Sequence, residues 1–427
     1  MPLAHADTIP GVLADAARRW PDSTALVGDG AELTFAQLHQ HAQRGAAAFV
    51  ASGLAPGERV AIWAPNSVAW AVAALSVACA GGVLVPVNTR ARGPEAADLL
   101  QRSRAVMLLT VSSFLGNDYV AMLGSTGVAL PSLRETVLID SNWADFVSRA
   151  SHDTVSVTVA PDDVSHVQYT SGTTGRPKGA MLRHRAMCGT TRDWCRAVGL
   201  RAGDRYLIVS PMFHVSGHKT GLLACLTSGA TAYPHAVFDA VEVMRRVERE
   251  RITVLPGPPT IYQSLLDHPR RGAFDLSSLR LAVTGATAIP PVLVERMRNE
   301  LGITHVVSAY GTTETTGVVT MCDATDDAST IAETSGRPVP GVEVRIGPDG
   351  EILVRGYNVM AGYLDDPDAT AQAIDADGWF HTGDVGTFDE AGNLRITDRL
   401  TDVFHVGGFN AYPAEIEAML LEHPGVR

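Results

Sequence analysis

Short apolar runs bounded by turn residues recur along the chain and predict buried β-strands. Between many of them lie segments such as VFDAVEVMRRVERER and PPVLVERMRNEL, where apolar residues return every three or four positions, as in an amphipathic helix. This alternation predicts an α/β fold with parallel sheets covered on both faces, which bind ligands at the carboxyl ends of their strands. The predicted buried strands are RVAIWAP, GVLVPVN, AVMLLT, RYLIVSP, RITVLPG, LRLAVTGA and THVVSAYG.

After about residue 320 the pattern changes to alternating apolar and polar positions. GVEVRIGPDGEILVRG predicts two strands joined by a GPDG turn, and GTFDEAGNLRITD repeats that hairpin pattern. A small antiparallel, β-barrel-like unit is therefore predicted at about 330–397. The last segment, Thr401 to Arg427, begins like a further strand and helix.

Residues 69–87 form an uncharged stretch whose length, about 19 residues, is close to that of a membrane span. Gly81, Gly82 and Pro86 interrupt it. A buried helix from Ala69 to Ala80, followed by a strand from Val83 to Val87, therefore fits the pattern better than a span.

Composition and charge narrow the functional class. The 427 residues are 46% hydrophobic and 19% charged, as in folded globular proteins, and the formal net charge of −12 argues against a nucleic-acid partner. The N-terminus lacks the basic start and apolar run of a signal peptide, which favours the cytoplasm. Five widely spaced cysteines argue against a disulfide framework or a zinc site and are expected to fill the core.

The stretch from Tyr169 to Gly179, YTSGTTGRPKG, carries three glycines, four Ser or Thr hydroxyls and Lys178. Backbone N–H groups, hydroxyls and an ammonium in one loop can surround a polyphosphate. The loop differs from a Walker A motif because a glycine, not Ser or Thr, follows the lysine. From these residues alone phosphate binding is favoured, while a plain surface turn stays open.

YTSGTTGRPKG resembles the signature loop of the adenylate-forming superfamily, which comprises acyl-CoA synthetases, peptide-synthetase adenylation domains and firefly luciferase. The stretch from 222 to 286 looks most like actinobacterial ligases that activate ring-bearing propanoates from steroid breakdown. Five further motifs resemble those of the superfamily and follow in its order, namely PMFHVSG (211–217), VTGAT (283–287), AYGTTET (309–315), GWFHTGD (378–384) and DRLTDVFHVGGFNAYPAEIE (398–417).

The resemblance implies a large N-terminal domain at 1–398, with two doubly wound sheets and the β-barrel-like subdomain at about 330–397. Residues 399–427 would form a hinge and the start of a truncated C-terminal domain. The family's adenylation lysine belongs to a later part of that domain. Thr401 stands at the hinge position, where the family commonly has Asp or Lys.

The activity implied by the resemblance is that of an AMP-forming acyl-CoA synthetase, with ATP, Mg²⁺ and coenzyme A as cofactors. Such an enzyme joins a carboxylic acid to AMP, releases pyrophosphate and passes the acyl group to CoA. The glycines and prolines in the predicted acyl pocket contribute little side-chain volume, which favours a bulky or polycyclic acid.

Residue roles follow from the same resemblance. Glu314 is similar to the Mg²⁺ ligand, with Thr173 beside it, and Thr313 to a hydrogen-bond donor for the α-phosphate. Lys178 and His214 complete the candidate catalytic set, His214 by positioning the acid.

The nucleotide would be held by an aromatic ring, a carboxylate and a basic side chain. Tyr310 resembles the aromatic residue that stacks on adenine, Asp384 the acceptor for the ribose hydroxyls, and Arg399 the basic residue near the hinge. All candidate nucleotide and CoA residues are Thr170, Ser171, Gly172, Thr173, Thr174, Gly175, Gly285, Ala286, Thr287, Ala309, Tyr310, Gly311, Thr312, Asp384, Arg399, Gly407 and Gly408. The candidate acyl-pocket residues are Phe213, His214, Val215, Gly217, Gly221, Pro256, Pro258 and Gly285.

Two other functions stay open. A half-reaction ligase would convert only preformed acyl-adenylate to acyl-CoA, and a non-catalytic module would bind acyl-adenylate without turnover. A peptide-synthetase domain is disfavoured because PMFHVSGHKTG holds no acid to pair with an amino group. Many relatives dimerise, so a homodimer is also considered.

Overall fold

The computed structural model describes residues 6–170, 176–285 and 289–400, together with the backbone of Phe404–Val406 and Phe409–Ala411. The strands are β1 Thr24–Gly28, β2 Ala31–Thr34, β3 Arg59–Trp63, β4 Val83–Pro86, β5 Met107–Thr110, β6 Glu135–Leu138, β7 Val164–Thr170, β8 Lys178–Arg183, β9 Arg205–Ile208, β10 Thr231–Pro234, β11 Leu281–Gly285, β12 His305–Tyr310, β13 Thr320–Met321, β14 Arg337–Pro338, β15 Val342–Ile346, β16 Glu351–Gly356, β17 Phe380–Phe388, β18 Leu394–Arg399, β19 Phe404–Val406 and β20 Phe409–Ala411. The helices are α1 Ile9–Arg19, α2 Phe35–Ala51, α3 Val68–Cys79, α4 Gly93–Ser103, α5 Tyr119–Gly124, α6 Trp143–Val147, α7 His184–Val198, α8 Val215–Gly217, α9 Ala224–Ser228, α10 Ala240–Glu250, α11 Pro259–Leu266, α12 Pro291–Glu300, α13 Ala328–Glu333 and α14 Pro367–Ala373, with a π-helix at His218–Leu223 and a 3₁₀ helix at Arg271–Ala273.

The first sheet has six strands in the order β6-β5-β3-β4-β7-β8. All neighbours are parallel except β8, which pairs with β7 in the antiparallel direction and forms the edge. Helix α3 and strand β4 confirm the buried helix and strand predicted in the uncharged stretch. The helix begins where the Ser67 hydroxyl accepts a hydrogen bond from the Trp70 N–H at 2.9 Å. No helix in the described part of the chain is long and apolar enough to cross a membrane.

The second sheet joins two four-stranded parts, β2-β1-β10-β9 and β11-β12-β13-β14. Their connection is Val254, which bridges Tyr206 and Leu281 in the parallel direction. RITVLPG, predicted as a strand, therefore contributes only this bridge. Pro256 has no N–H to donate towards β9, so pairing with β9 ends there, whereas the Leu255 and Gly257 N–H groups still donate to the Leu281 and Val283 carbonyls of β11. The other six predicted strands are present.

The third sheet is antiparallel, in the order β15-β16-β17-β18, and confirms both predicted hairpins. The division into domains at 1–398 and 399–427 stays a prediction. The five cysteines are buried residues of the core, as predicted: Cys79, Cys188, Cys195, Cys225 and Cys322.

Candidate active site

The carboxyl ends of both parallel sheets are tied together by one buried amide side chain. Asn66 follows β3 of the first sheet, and its Nδ2 donates to the carbonyls of Ile208 (3.1 Å), Ser210 (2.9 Å) and His235 (3.1 Å) in the second. Its Oδ1 accepts from the Met212 N–H at 2.6 Å. The strand ends at which α/β sheets bind ligands therefore face one crevice. Sequence reasoning missed Asn66, although a polar residue directly after a buried strand was a usable signal.

The predicted phosphate loop connects β7 and β8 as a hairpin. Thr170 and Lys178 pair across its base. After the loop, KGAMLR pairs with β7 as strand β8, and α7 begins only at His184. Ser171, Gly172, Thr173, Thr174 and Gly175 lie outside the described residues.

Helix α4 anchors the outgoing arm of this loop. Arg176 forms an ion pair with Asp98, and the Arg102 Nη1 donates to the Pro177 carbonyl at 2.7 Å. The Arg102 guanidinium also lies 5.4 Å from the centre of the Tyr169 ring. Both sides of the loop base are thus held against the first sheet.

Strands β12 and β13 are joined by a tight turn that carries Thr313 and Glu314. Within it the Gly317 N–H donates to the Thr312 carbonyl at 2.7 Å. A side chain on Gly311 would begin 2.5 Å from the Gly317 carbonyl carbon, so the turn requires glycine there. The turn holds Glu314 at the carboxyl end of β12.

Two buried groups hold the end of this turn in an unusual conformation. Thr316 has φ +54°, in the left-handed region that β-branched residues rarely adopt. The Lys219 ammonium donates to its carbonyl at 2.8 Å, and its hydroxyl donates to the Asn358 carbonyl at 2.7 Å. Lys219 is 0% exposed, and this burial lowers its pKa to about 7. Sequence reasoning did not select Lys219.

One of the two Glu314 carboxylate oxygens is hydrogen-bonded by the residues that the structure describes. Its Oε1 accepts from the Tyr363 hydroxyl at 2.9 Å, while Oε2 has no hydrogen bond from the residues that the structure describes. A free carboxylate oxygen suits a hard divalent cation. The described residues contain no group of three or more His, Cys, Asp or Glu side chains that could hold a metal ion, so Glu314 would be one ligand of a site that other groups complete.

Three of the residues assigned to the nucleotide form one hydrogen-bonded network. The Tyr310 hydroxyl donates to Oδ2 of Asp384 at 2.6 Å, and the Arg399 Nε lies 3.3 Å from Oδ1. Asp384 and Arg399 are paired residues of β17 and β18. Burial raises the pKa of Asp384, which the hydrogen bond from Tyr310 and the charge of Arg399 oppose.

His214 is the N-cap residue that precedes the short helix α8, and it lies at the surface of the crevice. Its Nδ1 lies 2.9 Å from the Ser216 hydroxyl. The ring reaches solvent, yet enough protein surrounds it to lower its pKa, which favours neutral imidazole. The Phe213 carbonyl accepts from Gln168 Nε2 at 3.0 Å, which connects this segment to β7.

Glycines let the remaining candidate acyl segments approach closely. A side chain on Gly217 would begin 2.2 Å from the Pro211 carbonyl oxygen, and one on Gly285 would begin 2.8 Å from that of Ala309. Gly221 packs against Ile208, and Val215 lies 3.0 Å from where a side chain on Gly317 would begin. The segment with Pro256 and Pro258 runs beside β11, because the Gly257 N–H donates to the Val283 carbonyl. Ala286, Thr287, Thr401, Gly407 and Gly408 lie outside the described residues.

Comparisons with known proteins agree with this arrangement. The family model described as AMP-binding enzyme matches residues 13–364. A (7a-methyl-1,5-dioxo-octahydro-1H-inden-4-yl)propanoyl:CoA ligase of Mycobacterium tuberculosis is 51% identical over 429 residues, which cover 98% of this chain and 84% of that protein. The ligase of the same name from Rhodococcus jostii is 50% identical over 436 residues, with the same coverage. The solved structure of an anthranilate CoA ligase in complex with anthranoyl-AMP has a TM-score of 0.88 at 25% identity and covers 99% of this chain and 83% of its own.

The family match includes the phosphate loop, the His214 segment and the Glu314 turn, and the relatives extend it through Asp384 and Arg399. All three compared proteins are named as CoA ligases, so the comparisons favour neither a half-reaction enzyme nor a binding module. ATP or AMP, CoA and a carboxylic acid are accordingly its ligands. This chain belongs to the AMP-binding enzyme family, as an AMP-forming acyl-CoA ligase.

Proposed function

We propose that this ligase activates a ring-bearing propanoate, with Mg²⁺·ATP as the nucleotide. Two ligases that are 51% and 50% identical to this chain over 98% of its length support this substrate. Both are named for a methylated bicyclic diketone that carries a propanoyl group.

The chemistry proceeds in two displacements. An oxygen of the carboxylate attacks the α-phosphorus of ATP, the bond to the bridging oxygen breaks, and pyrophosphate leaves. The thiol sulfur of CoA then attacks the acyl carbon, AMP leaves with the electrons of the anhydride bond, and the thiol proton passes to solvent. Two anions must meet in the first step, so alignment and charge neutralisation are the main tasks of the protein.

The described residues suggest how those tasks are divided. Lys178 and the loop from Thr170 to Gly175 would hold the phosphates, with Thr313 on the α-phosphate. The free oxygen of Glu314 fits Mg²⁺, which supplies positive charge against the phosphate oxygens when bound. Asp384, Tyr310 and Arg399 would hold the nucleoside.

Other assignments stay predictions. They include Thr173 as a second metal ligand, His214 as the residue that positions the acid, and Gly407 and Gly408 along the path of CoA. A homodimer and a cytoplasmic location are predictions too.

The proposal is tested by ATP–pyrophosphate exchange and by mass-spectrometric detection of the CoA ester. The panel holds the bicyclic diketone propanoate, anthranilate and a straight-chain acid of equal carbon number. We expect the bicyclic diketone propanoate to support exchange and CoA ester formation at a lower acid concentration than the other two acids. Preference for the straight-chain acid would overturn the substrate assignment. If CoA ester forms from preformed acyl-adenylate but not from free acid and ATP, the half-reaction hypothesis is favoured instead.

A further inference from the structure

The segment 360–364 connects the two halves of the candidate phosphate site. At its start the Met360 N–H donates to the Glu314 carbonyl at 2.7 Å, and at its end the Leu364 N–H donates to the Gly179 carbonyl at 2.8 Å. Between these bonds Tyr363 pairs with Ala180 of β8 as an antiparallel bridge. The segment thus fixes the Glu314 turn relative to the base of the phosphate loop.

The side chain of Tyr363 contacts both charged groups at this junction. Its hydroxyl donates to Oε1 of Glu314 at 2.9 Å, and the Lys178 ammonium lies 5.2 Å from the centre of its ring. The residue is 8% exposed. Burial and the Glu314 carboxylate both raise the pKa of the phenol, so it keeps its proton and stays a donor at neutral pH.

A direct ion pair between Lys178 and Glu314 would occupy both groups that the nucleotide needs. Within the described ranges of the chain neither side chain forms an ion pair. The Tyr363 ring attracts the ammonium through its face, while its neutral hydroxyl binds the carboxylate without cancelling its charge. The lysine charge is therefore left for phosphate, and Oε2 of Glu314 is left for a cation.

We infer that Tyr363 is a positioning residue, which presents the free oxygen of Glu314 to Mg²⁺ and keeps Lys178 from pairing with that carboxylate. The inference rests on the proposed function, in which Glu314 is the metal ligand. It assigns a role to a tyrosine that no sequence motif selected above.

The first test replaces the hydroxyl and keeps the ring. For Tyr363→Phe, calorimetric titration of ATP at increasing Mg²⁺ should give a half-saturating Mg²⁺ concentration about tenfold above wild type, the size expected for one hydrogen bond to a charged group. ATP affinity without Mg²⁺ should be unchanged. The matched control is Thr370→Val, which removes the 2.9 Å hydrogen bond from the Tyr363 N–H and leaves the phenol in place. This control should keep the wild-type Mg²⁺ dependence.

A second variant tests the separation of charges. Lys178 and Lys219 are the only lysines in the sequence, and Lys219 is fully buried, so lysine labelling followed by peptide mass spectrometry reports Lys178. In Tyr363→Leu the ammonium should pair with Glu314 and label severalfold more slowly than in wild type or Tyr363→Phe. Restoration of fast labelling by Tyr363→Leu combined with Glu314→Gln would identify Glu314 as the partner.

The outcomes separate the two claims. If the ATP affinity of the wild type does not change with Mg²⁺ concentration, the proposed metal role of Glu314 is overturned. If the wild type depends on Mg²⁺ and Tyr363→Phe has the same half-saturating Mg²⁺ concentration, only the role of the Tyr363 hydroxyl is overturned. Equal labelling of Lys178 in wild type and Tyr363→Leu overturns the separating role of the ring.

Discussion

The buried ammonium of Lys219 allows a quantitative prediction about pH and stability. The side chain extends from the π-helix to the Glu314 turn, and Cys195 and Asp193 are titratable groups that act on its pKa. Its substitution Lys219→Met keeps the length of the side chain and removes the charge. The variant should therefore lose a pH dependence that the wild type shows.

The magnitude follows from the lowered pKa. In the unfolded chain the lysine holds its proton up to its usual pKa of 10.5, whereas in the folded protein it releases the proton above about 7. The unfolded state binds more protons in this window, so stability rises with pH there. Each pH unit adds up to about 1.4 kcal/mol, so the gain between about pH 7.5 and 9.5 approaches 3 kcal/mol.

The assay is urea unfolding of both proteins across that pH range. Burial raises the pKa of the five thiols, which makes stability fall as pH rises above about 8.5. The Lys219 charge acts on the Cys195 thiol, whereas the contribution of the other four thiols is equal in both proteins and cancels in their difference. The control is Lys178→Met, the same change at the partly exposed second lysine. If Lys219→Met and wild type gain stability equally with pH, the assignment of the slope to Lys219 is refuted.

Three further substitutions test the site and its support. Glu314→Gln should lower ATP–pyrophosphate exchange by about 10²–10³-fold, as loss of a group that organises transition-state charge does, with the thermal midpoint preserved. Asp384→Asn should weaken AMP binding about tenfold in calorimetry, because the amide presents one acceptor oxygen where the carboxylate presents two. Asn66→Ala should lower the free energy of unfolding by about 3 kcal/mol or more, measured in urea, because the Met212 N–H and three carbonyls lose their buried partner.

Hydrophobic patterning predicted six strands of the two large sheets because each has a continuous apolar run that local sequence displays: β3, β4, β5, β9, β11 and β12. Helix α3 and strand β4 are an example, since turn residues interrupt the uncharged stretch where the structure changes direction. The prediction of a strand at RITVLPG was wrong for a reason already present in its sequence. Pro256 removes the donor that would extend the pairing with β9. The candidate site residues were accessible only through motif resemblance, since an isolated Glu314 or Asp384 looks like any surface acid.

The residues that support the site could not be predicted from the sequence, because their hydrogen-bond partners are distant along the chain. Asn66 bonds Ile208 across 142 residues, Lys219 bonds Thr316 across 97, and Tyr363 bonds Glu314 across 49. No local pattern encodes such pairings. A lysine inside the mostly apolar segment HKTGLLACL was nevertheless a visible anomaly, because an apolar helix face buries a charge only where a partner exists.

The turn between β12 and β13 is the point at which these long-range contacts meet. Tyr310 at its start binds Asp384, Glu314 in its middle binds Tyr363, and Thr316 at its end binds Lys219. Because three separate parts of the fold hold one short segment, the turn cannot shift without breaking a buried hydrogen bond. The left-handed Thr316 persists only under such constraint. The position of Glu314 is therefore set when the chain folds, so nucleotide binding need not supply the free energy that orders it.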